Sequence, residues 1–163
     1  MHYFLGLEIW KSPEEIFVDK GKCVVEIIKR FDMVECKSMA TPMDTSLKLL
    51  VDDSLYLVDV TLYKHIFGSL MYLMNTRTYI CFVLNTLSQY LVEPRHVHLI
   101  FAKHVMWYLK GMVDYGLSYT IDHDFRLYSY TNSDWAGSVS KRKRNLGGCF
   151  SLGSAMISWL ISK

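Results

Sequence analysis

Residues 97–111 read VHLIFAKHVMWYLKG, and this stretch decides what kind of fold the chain can have. Val97, Phe101, Val105, Tyr108 and Leu109 recur at steps of three and four, the spacing that gathers side chains on one face of an α-helix. Gly111 suits the left-handed position that follows a helix C-terminus. Lys103 and His104 interrupt the most apolar part, so it falls short of the roughly 20 apolar residues of a membrane span. Two similar stretches come before it. LYKHIFGSLMYLMNT, 62–76, brings together Leu62, Ile66, Leu70 and Leu73, with Asp59 or Thr61 available as N-cap. YICFVLNTLSQYLV, 79–92, lines up Ile80, Val83, Leu84, Leu87 and Leu91, and Pro94 stops it. Short connections make these helices antiparallel neighbours in a small bundle. Their aromatic and methionine residues read as core rather than as a cofactor box.

Outward from the bundle the period changes. Upstream, Gly21 precedes KCVVEIIKRFDM, where Val24, Ile27, Ile28 and Phe31 share a helical face. An aperiodic connector, 35–60, separates it from the later helices. The first residues hold two strand-type runs, HYFLGLEI and EIFVD, joined by the polar turn WKSPE with Pro13. From Tyr115 onward GLSYT, RLYSYTNS, GGCFSLGS and MISWLIS alternate with glycine- and serine-containing turns. The expected class is therefore α+β. It comprises an N-terminal β-hairpin (1–18), a central helical bundle (19–113) and C-terminal antiparallel strands (114–163).

Composition narrows the function. With 163 residues, 51% of them hydrophobic and 14% aromatic, the chain can fill a core, and a mean hydropathy of +0.13 argues against disorder. A formal charge of +2 is too small to argue for nucleic acid by itself. The N-terminus lacks the basic and apolar regions of a signal peptide. It reads as a strand that starts at once, as if cut from a longer chain, and a cytoplasmic or nuclear location is expected. Cys23, Cys36, Cys81 and Cys149 are scattered without a CxxC pair, so reduced thiols are expected. The spacing of His96, His98 and His104 fits no zinc pattern. Downstream of Asp134 there is no acid, while Lys141, Arg142, Lys143 and Arg144 form a block of cations.

Two acidic motifs could hold a divalent ion. Asp52 and Asp53 look like the paired aspartates of a polymerase, but they lie in the aperiodic connector and read as solvated loop. YTNSDWAG, 130–137, resembles one edge of a metal site. Two-metal phosphodiester chemistry needs several carboxylates around ions roughly 3.5–4 Å apart, and magnesium prefers anionic oxygen. Asn132 offers only a neutral carbonyl on the strand face it shares with Asp134. The plainer reading of Asp134 is a strand-end acid that ties down the turn DWAG.

Taken in order, YFLGLEIW, EIFVDKGKCVVEIIKRFDM, CKSMATPM, YKHIFGSLMYLMNTRTYICFVLNTLSQY, EPRHVH, AKHVMWYLKGMVDYGLSY and SDWAGSVSKRKRNLGGCFSLGSAMISW strongly resemble the Ty1/copia-type retrotransposon Pol polyprotein of plants. The resemblance covers almost the whole chain. It implies the C-terminal end of a reverse transcriptase, with a late palm hairpin and a helical thumb. The first strands of the tethered RNase H domain follow, an incomplete RNase H-like sheet. Intact members use magnesium, and their polymerase aspartates precede the segment matching YFLGLEI. Their first RNase H metal ligand falls on Asn132 and the second aspartate on Asp134, while the remaining carboxylates fall beyond Lys163. Other departures are Thr78 and Tyr79 within NTRTYI, the run Arg142–Gly148, and Trp107 in place of a cation that would face nucleic acid. Phe101 stands where a small residue is common, and such overpacking costs about 1–3 kcal/mol.

The expectation is a truncated fragment without catalytic activity. It has no catalytic residue, cofactor, metal or small-molecule substrate of its own, and Asp134 is a weak metal candidate. The alternative is a residual module that binds template–primer or RNA–DNA hybrid through Lys103, Lys110 and Lys141, Arg142, Lys143 and Arg144. A third possibility is a partner of the intact polyprotein that docks through the exposed palm edge strand.

Overall fold

The computed structural model describes residues 2–43, 58–121, 126–134 and 145–162, with backbone alone for 132–134, 145–147 and 159–162. It is an α+β protein whose described residues form helices and two antiparallel sheets. They divide into two compact units, Lys20–Tyr115 and the pair of segments Met1–Asp19 and Gly116–Lys163. No described helix is long and apolar enough to cross a membrane.

The first unit is helical: α1 (Gly21–Arg30), α2 (Val60–Leu73), α3 (Cys81–Ser88, entered through a 3₁₀ turn at Thr78–Ile80) and α4 (His96–Lys110). Their apolar faces meet in one cluster in which Ile66, Leu70, Leu73, Ile80, Leu87, Phe101, Ala102 and Val105 are wholly enclosed. Phe101 occupies its place there with no solvent contact. Helix α1 ends in a paired-bond cap: Met33 N–H donates to Ile28 C=O and Asp32 N–H to Lys29 C=O. Asp32 takes φ 55 at the position that usually holds glycine. Of the two N-cap candidates for α2, Asp59 fills the role, its carboxylate accepting Thr61 N–H at 2.8 Å.

The helices depart from the sequence reading in three places. The buried face of α2 runs through Tyr63, not Leu62, which is 36% exposed. Tyr63 can be buried because its hydroxyl donates to Leu87 C=O at 3.0 Å, which answers its one polar group. Helix α3 ends at Ser88, well before Pro94, as Gln89 and Tyr90 tighten onto the carbonyls of Thr86 and Leu87. Gly111 is right-handed, φ −74. Glycine is favoured there by crowding, since a Cβ would lie 3.1 Å from Ser38 Cβ.

The second unit holds both sheets. Strands β1 (His2–Phe4), β2 (Leu7–Lys11), β3 (Glu15–Asp19) and β4 (Leu117–Thr120) form one antiparallel sheet in that order. The run HYFLGLEI is thus two strands. Phe4 pairs with Leu7 across a two-residue turn in which Leu5 (φ 48) and Gly6 (φ 75) are both left-handed. The next turn is closed by Ser12, whose hydroxyl accepts Glu15 N–H at 3.0 Å. β4 pairs with β3, Val18 opposite Leu117, although chain order would group it with the later strands. Strands β5 (Leu127–Asp134), β6 (Asn145–Leu152) and β7 (Ala155–Ser162) form the other sheet in sequence order. The two sheets are tied together. Tyr119 hydroxyl donates to Met156 C=O at 2.8 Å, and Ser154 Oγ accepts Thr120 N–H and donates to Ser118 C=O.

Burial gives the fold an alkaline limit. Cys81, 3% exposed, has its thiol pushed up to about 11 by desolvation. Burial also raises the hydroxyls of Tyr63 and Tyr119. A group whose folded pKa is raised stabilises fully below its unfolded pKa and loses that contribution as pH climbs to the folded one. Lys20 acts in the opposite sense, its ammonium being depressed by desolvation. Chemical denaturation should therefore show stability falling between pH 9 and 11 by roughly 2 kcal/mol on account of the thiol. In Cys81→Ala the slope between pH 9 and 10 should be shallower; an unchanged slope would remove the thiol from the account.

Candidate functional site

The candidate metal strand is β5. Its backbone alternation puts Asn132 and Asp134 on the same face as Tyr128 and Tyr130, which are 45% and 57% exposed. Asp134 ends the strand opposite Asn145, Asn132 lies opposite Gly147, and Gly147 lies opposite Ile161 of β7. By register, the described positions that share this face with Asp134 at this end of the sheet are two amides, a glycine and an isoleucine. A single carboxylate among them does not fit a pair of magnesium ions, which need several anionic oxygens. Asp52 and Asp53 lie outside the described residues. Among the described residues, no three side chains of His, Cys, Asp or Glu converge. Glu8 and Asp19 are two buried acids at facing positions of β2 and β3.

The candidate cations fall into two groups. Lys103 and Lys110 both stand on α4, seven residues and about two turns apart, on the side that also carries Ile100 and Trp107. Both are half-buried. Among the described residues, Lys103 has no partner for its ammonium. Lys110 is engaged: its Nζ donates to the carbonyls of Val34 and Cys36. The block Lys141, Arg142, Lys143 and Arg144 belongs to the connection between β5 and β6 and lies outside the described residues.

The contacts of Lys110 belong to a longer seam. The segment 34–41, which has neither helix nor strand, runs along α4 and is fastened to it at several points. Met39 N–H donates to Trp107 C=O at 3.3 Å, using a carbonyl in the last turn that the helix itself leaves open. His104, 5% exposed, bonds through Nε2 to Thr41 C=O at 2.9 Å. The indole Nε1–H of Trp107 is enclosed and has no acceptor among the described residues.

One buried cation gave no sign of itself in the sequence. Lys20, in the polar run DKGK, is only 3% exposed. Its ammonium donates to Tyr72 C=O at 2.7 Å and lies 3.7 Å from the centre of the Tyr72 ring. Nothing in a four-residue polar stretch distinguishes such a lysine from a solvated one.

Comparison with known proteins places the whole chain. It is 35% identical over its full length to the Retrovirus-related Pol polyprotein from transposon RE2 of Arabidopsis thaliana. It is 33% identical over 98% of its length to an uncharacterized mitochondrial protein of the same plant, of which it covers 66%. A secreted RxLR effector protein of Plasmopara viticola matches at 35% over 59% of this chain and 68% of its own. The chain spans 11% of the length of the RE2 polyprotein. No family model matches it, and no solved structure matches it.

Lys110→Met keeps the apolar stem but withdraws the donor from the Val34 and Cys36 carbonyls. It should cost about 1 kcal/mol in urea denaturation and speed proteolytic cleavage within 34–43. Unchanged stability and cleavage would mean that the ammonium is not what fastens this segment.

Proposed function

The chain belongs to the Ty1/copia-type retrotransposon Pol polyproteins, and from that premise we propose that it is the part joining reverse transcriptase to RNase H and turns over no substrate itself. One feature carries this reading: the resemblance matches the family's first metal carboxylate to Asn132, and β5 has Asp134 as its sole acid. The register adds only Asn145 and Gly147 opposite this pair. Clamping the attacking and leaving oxygens of a phosphodiester takes two cations held by several carboxylates. One carboxylate and one amide leave most of the positive charge of such ions unanswered.

The purified chain should neither extend a primer on a template nor cleave an RNA–DNA hybrid, in magnesium or in manganese. Turnover of either substrate that disappears in Asp134→Ala would overturn the proposal.

A second reading rests on a different observation: four successive cations, Lys141–Arg144, occur where no acid follows in sequence. In this reading the chain retains affinity for template–primer or RNA–DNA hybrid, with Lys103 as a further phosphate contact. Lys110 contributes less, because two carbonyls already occupy its ammonium. If four phosphates are neutralised, log K should fall against log salt with a slope of about −3.6. A flat salt response eliminates this reading.

A further inference from the structure

Two of the three prolines follow a hydroxyl residue, Ser12–Pro13 and Thr41–Pro42. The two hydroxyls differ in their surroundings. Ser12 Oγ accepts Glu14 N–H at 3.3 Å and Glu15 N–H at 3.0 Å, so it holds the β2–β3 turn together. Thr41 is exposed, and among the described residues its hydroxyl has no partner; only its carbonyl is used, by His104. The stretch 37–43 around it carries neither helix nor strand. Proline also crowds the preceding residue out of the α region, which biases Thr41 toward extended backbone. A kinase cleft takes its substrate extended, with the hydroxyl free. A pocket shaped for a residue without an N–H then selects the proline that follows.

We propose that Thr41 is a phosphorylation site for a proline-directed serine/threonine kinase. Thr41 Oγ1 attacks the γ-phosphorus of a nucleoside triphosphate, and an O–P bond forms as the bond to the β-phosphate oxygen breaks. The hydroxyl proton passes to the general base of the kinase, and the nucleoside diphosphate leaves.

The structural consequence follows from His104. Its ring is enclosed between Phe101 and Trp107, with ring centroids 6.4 and 6.2 Å away, and its Nε2 already reaches the Thr41 carbonyl. Phosphorylation adds roughly −1.5 to −2 charges and three strong acceptor oxygens to the same residue. A charged acceptor makes a stronger hydrogen bond than a neutral carbonyl. The modification therefore fastens the segment 34–41 more firmly to α4 rather than releasing it.

Incubating the intact folded chain with a proline-directed kinase and magnesium ATP, then mapping phosphate by mass spectrometry, tests this. One phosphate per chain is expected, at Thr41. It should vanish in Thr41→Val, persist in Ser12→Ala, and form at least about tenfold more slowly in Pro42→Ala. No incorporation, incorporation at Ser12 instead, or an unchanged rate in Pro42→Ala overturns the assignment. Proteolysis within 34–43 should be slower in the phosphorylated chain, and His104→Ala should abolish that difference. Equal cleavage rates with and without phosphate would refute the fastening.

Discussion

Withdrawing one face of α4 from water is the constraint around which the helical unit is organised. Phe101, Ala102, Val105, Met106 and Leu109 are each at most 1% exposed, and the faces of α1, α2 and α3 close over them. Burying a side chain of this size contributes about 1.5–3 kcal/mol. The price of such thorough burial falls on the polar groups carried along with the apolar ones. His104 and the carbonyl of Trp107 lose water as the helix packs, and a buried polar group without a partner costs about 1–3 kcal/mol. The segment 34–41 supplies what they need, Thr41 C=O to the imidazole and Met39 N–H to the carbonyl. Arg77, wholly enclosed, donates from one terminal nitrogen to Val113 C=O at 3.0 Å. A connector that carries no periodic pattern thus has a defined path because the helix beside it has polar groups to satisfy.

That asymmetry explains how far the fold could be read from the sequence. Apolar periodicity reports which residues leave water, so the faces of α1 and α3 and most of α4 were legible. It says nothing about whether a polar atom will find a partner. Tyr63 displaced Leu62 from the buried face of α2 because Leu87 C=O lies within reach of its hydroxyl, an acceptor 24 residues away. Gly111 looked like a left-handed cap, yet its smallness answers to Ser38, which belongs to a loop far off in sequence. HYFLGLEI hid a hairpin for a local reason. Leucine at φ 48 is strained, turn chemistry does not favour it, and an unbroken apolar run reads as one strand.

The candidate site divides along the same line. The pairing of Asn132 with Asp134 on one strand face was legible in the sequence, because such a face is defined by residue type and two-residue alternation. The engagement of Lys110 was not, since its acceptors are main-chain carbonyls 74 and 76 residues earlier, which carry no signature in composition. A cation on a helix face reads as available for phosphate whether or not the fold has already claimed it.

The sheet pairing bears on why an amide at Asn132 is compatible with a well-packed helical core. β3 and β4 are neighbours, with the whole helical unit intervening between them in sequence. The entropy of closing a loop grows only as the logarithm of its length, so a long intervening unit costs little more than a short one. The packing of α4 and the register of β5 are then met by separate sets of residues. A carboxylate that would hold a metal ion contributes nothing to either, and two acids on one strand face repel. An amide at one of two such positions avoids that repulsion, so the stability of the fold makes no demand for a second carboxylate beside Asp134. An inward-facing residue of α4 is in the opposite position: truncating it leaves a cavity, at about 2–5 kcal/mol for a large aliphatic side chain. Folding energetics thus protect the helical core of this chain and make no such demand on Asp134, the sole acid of β5.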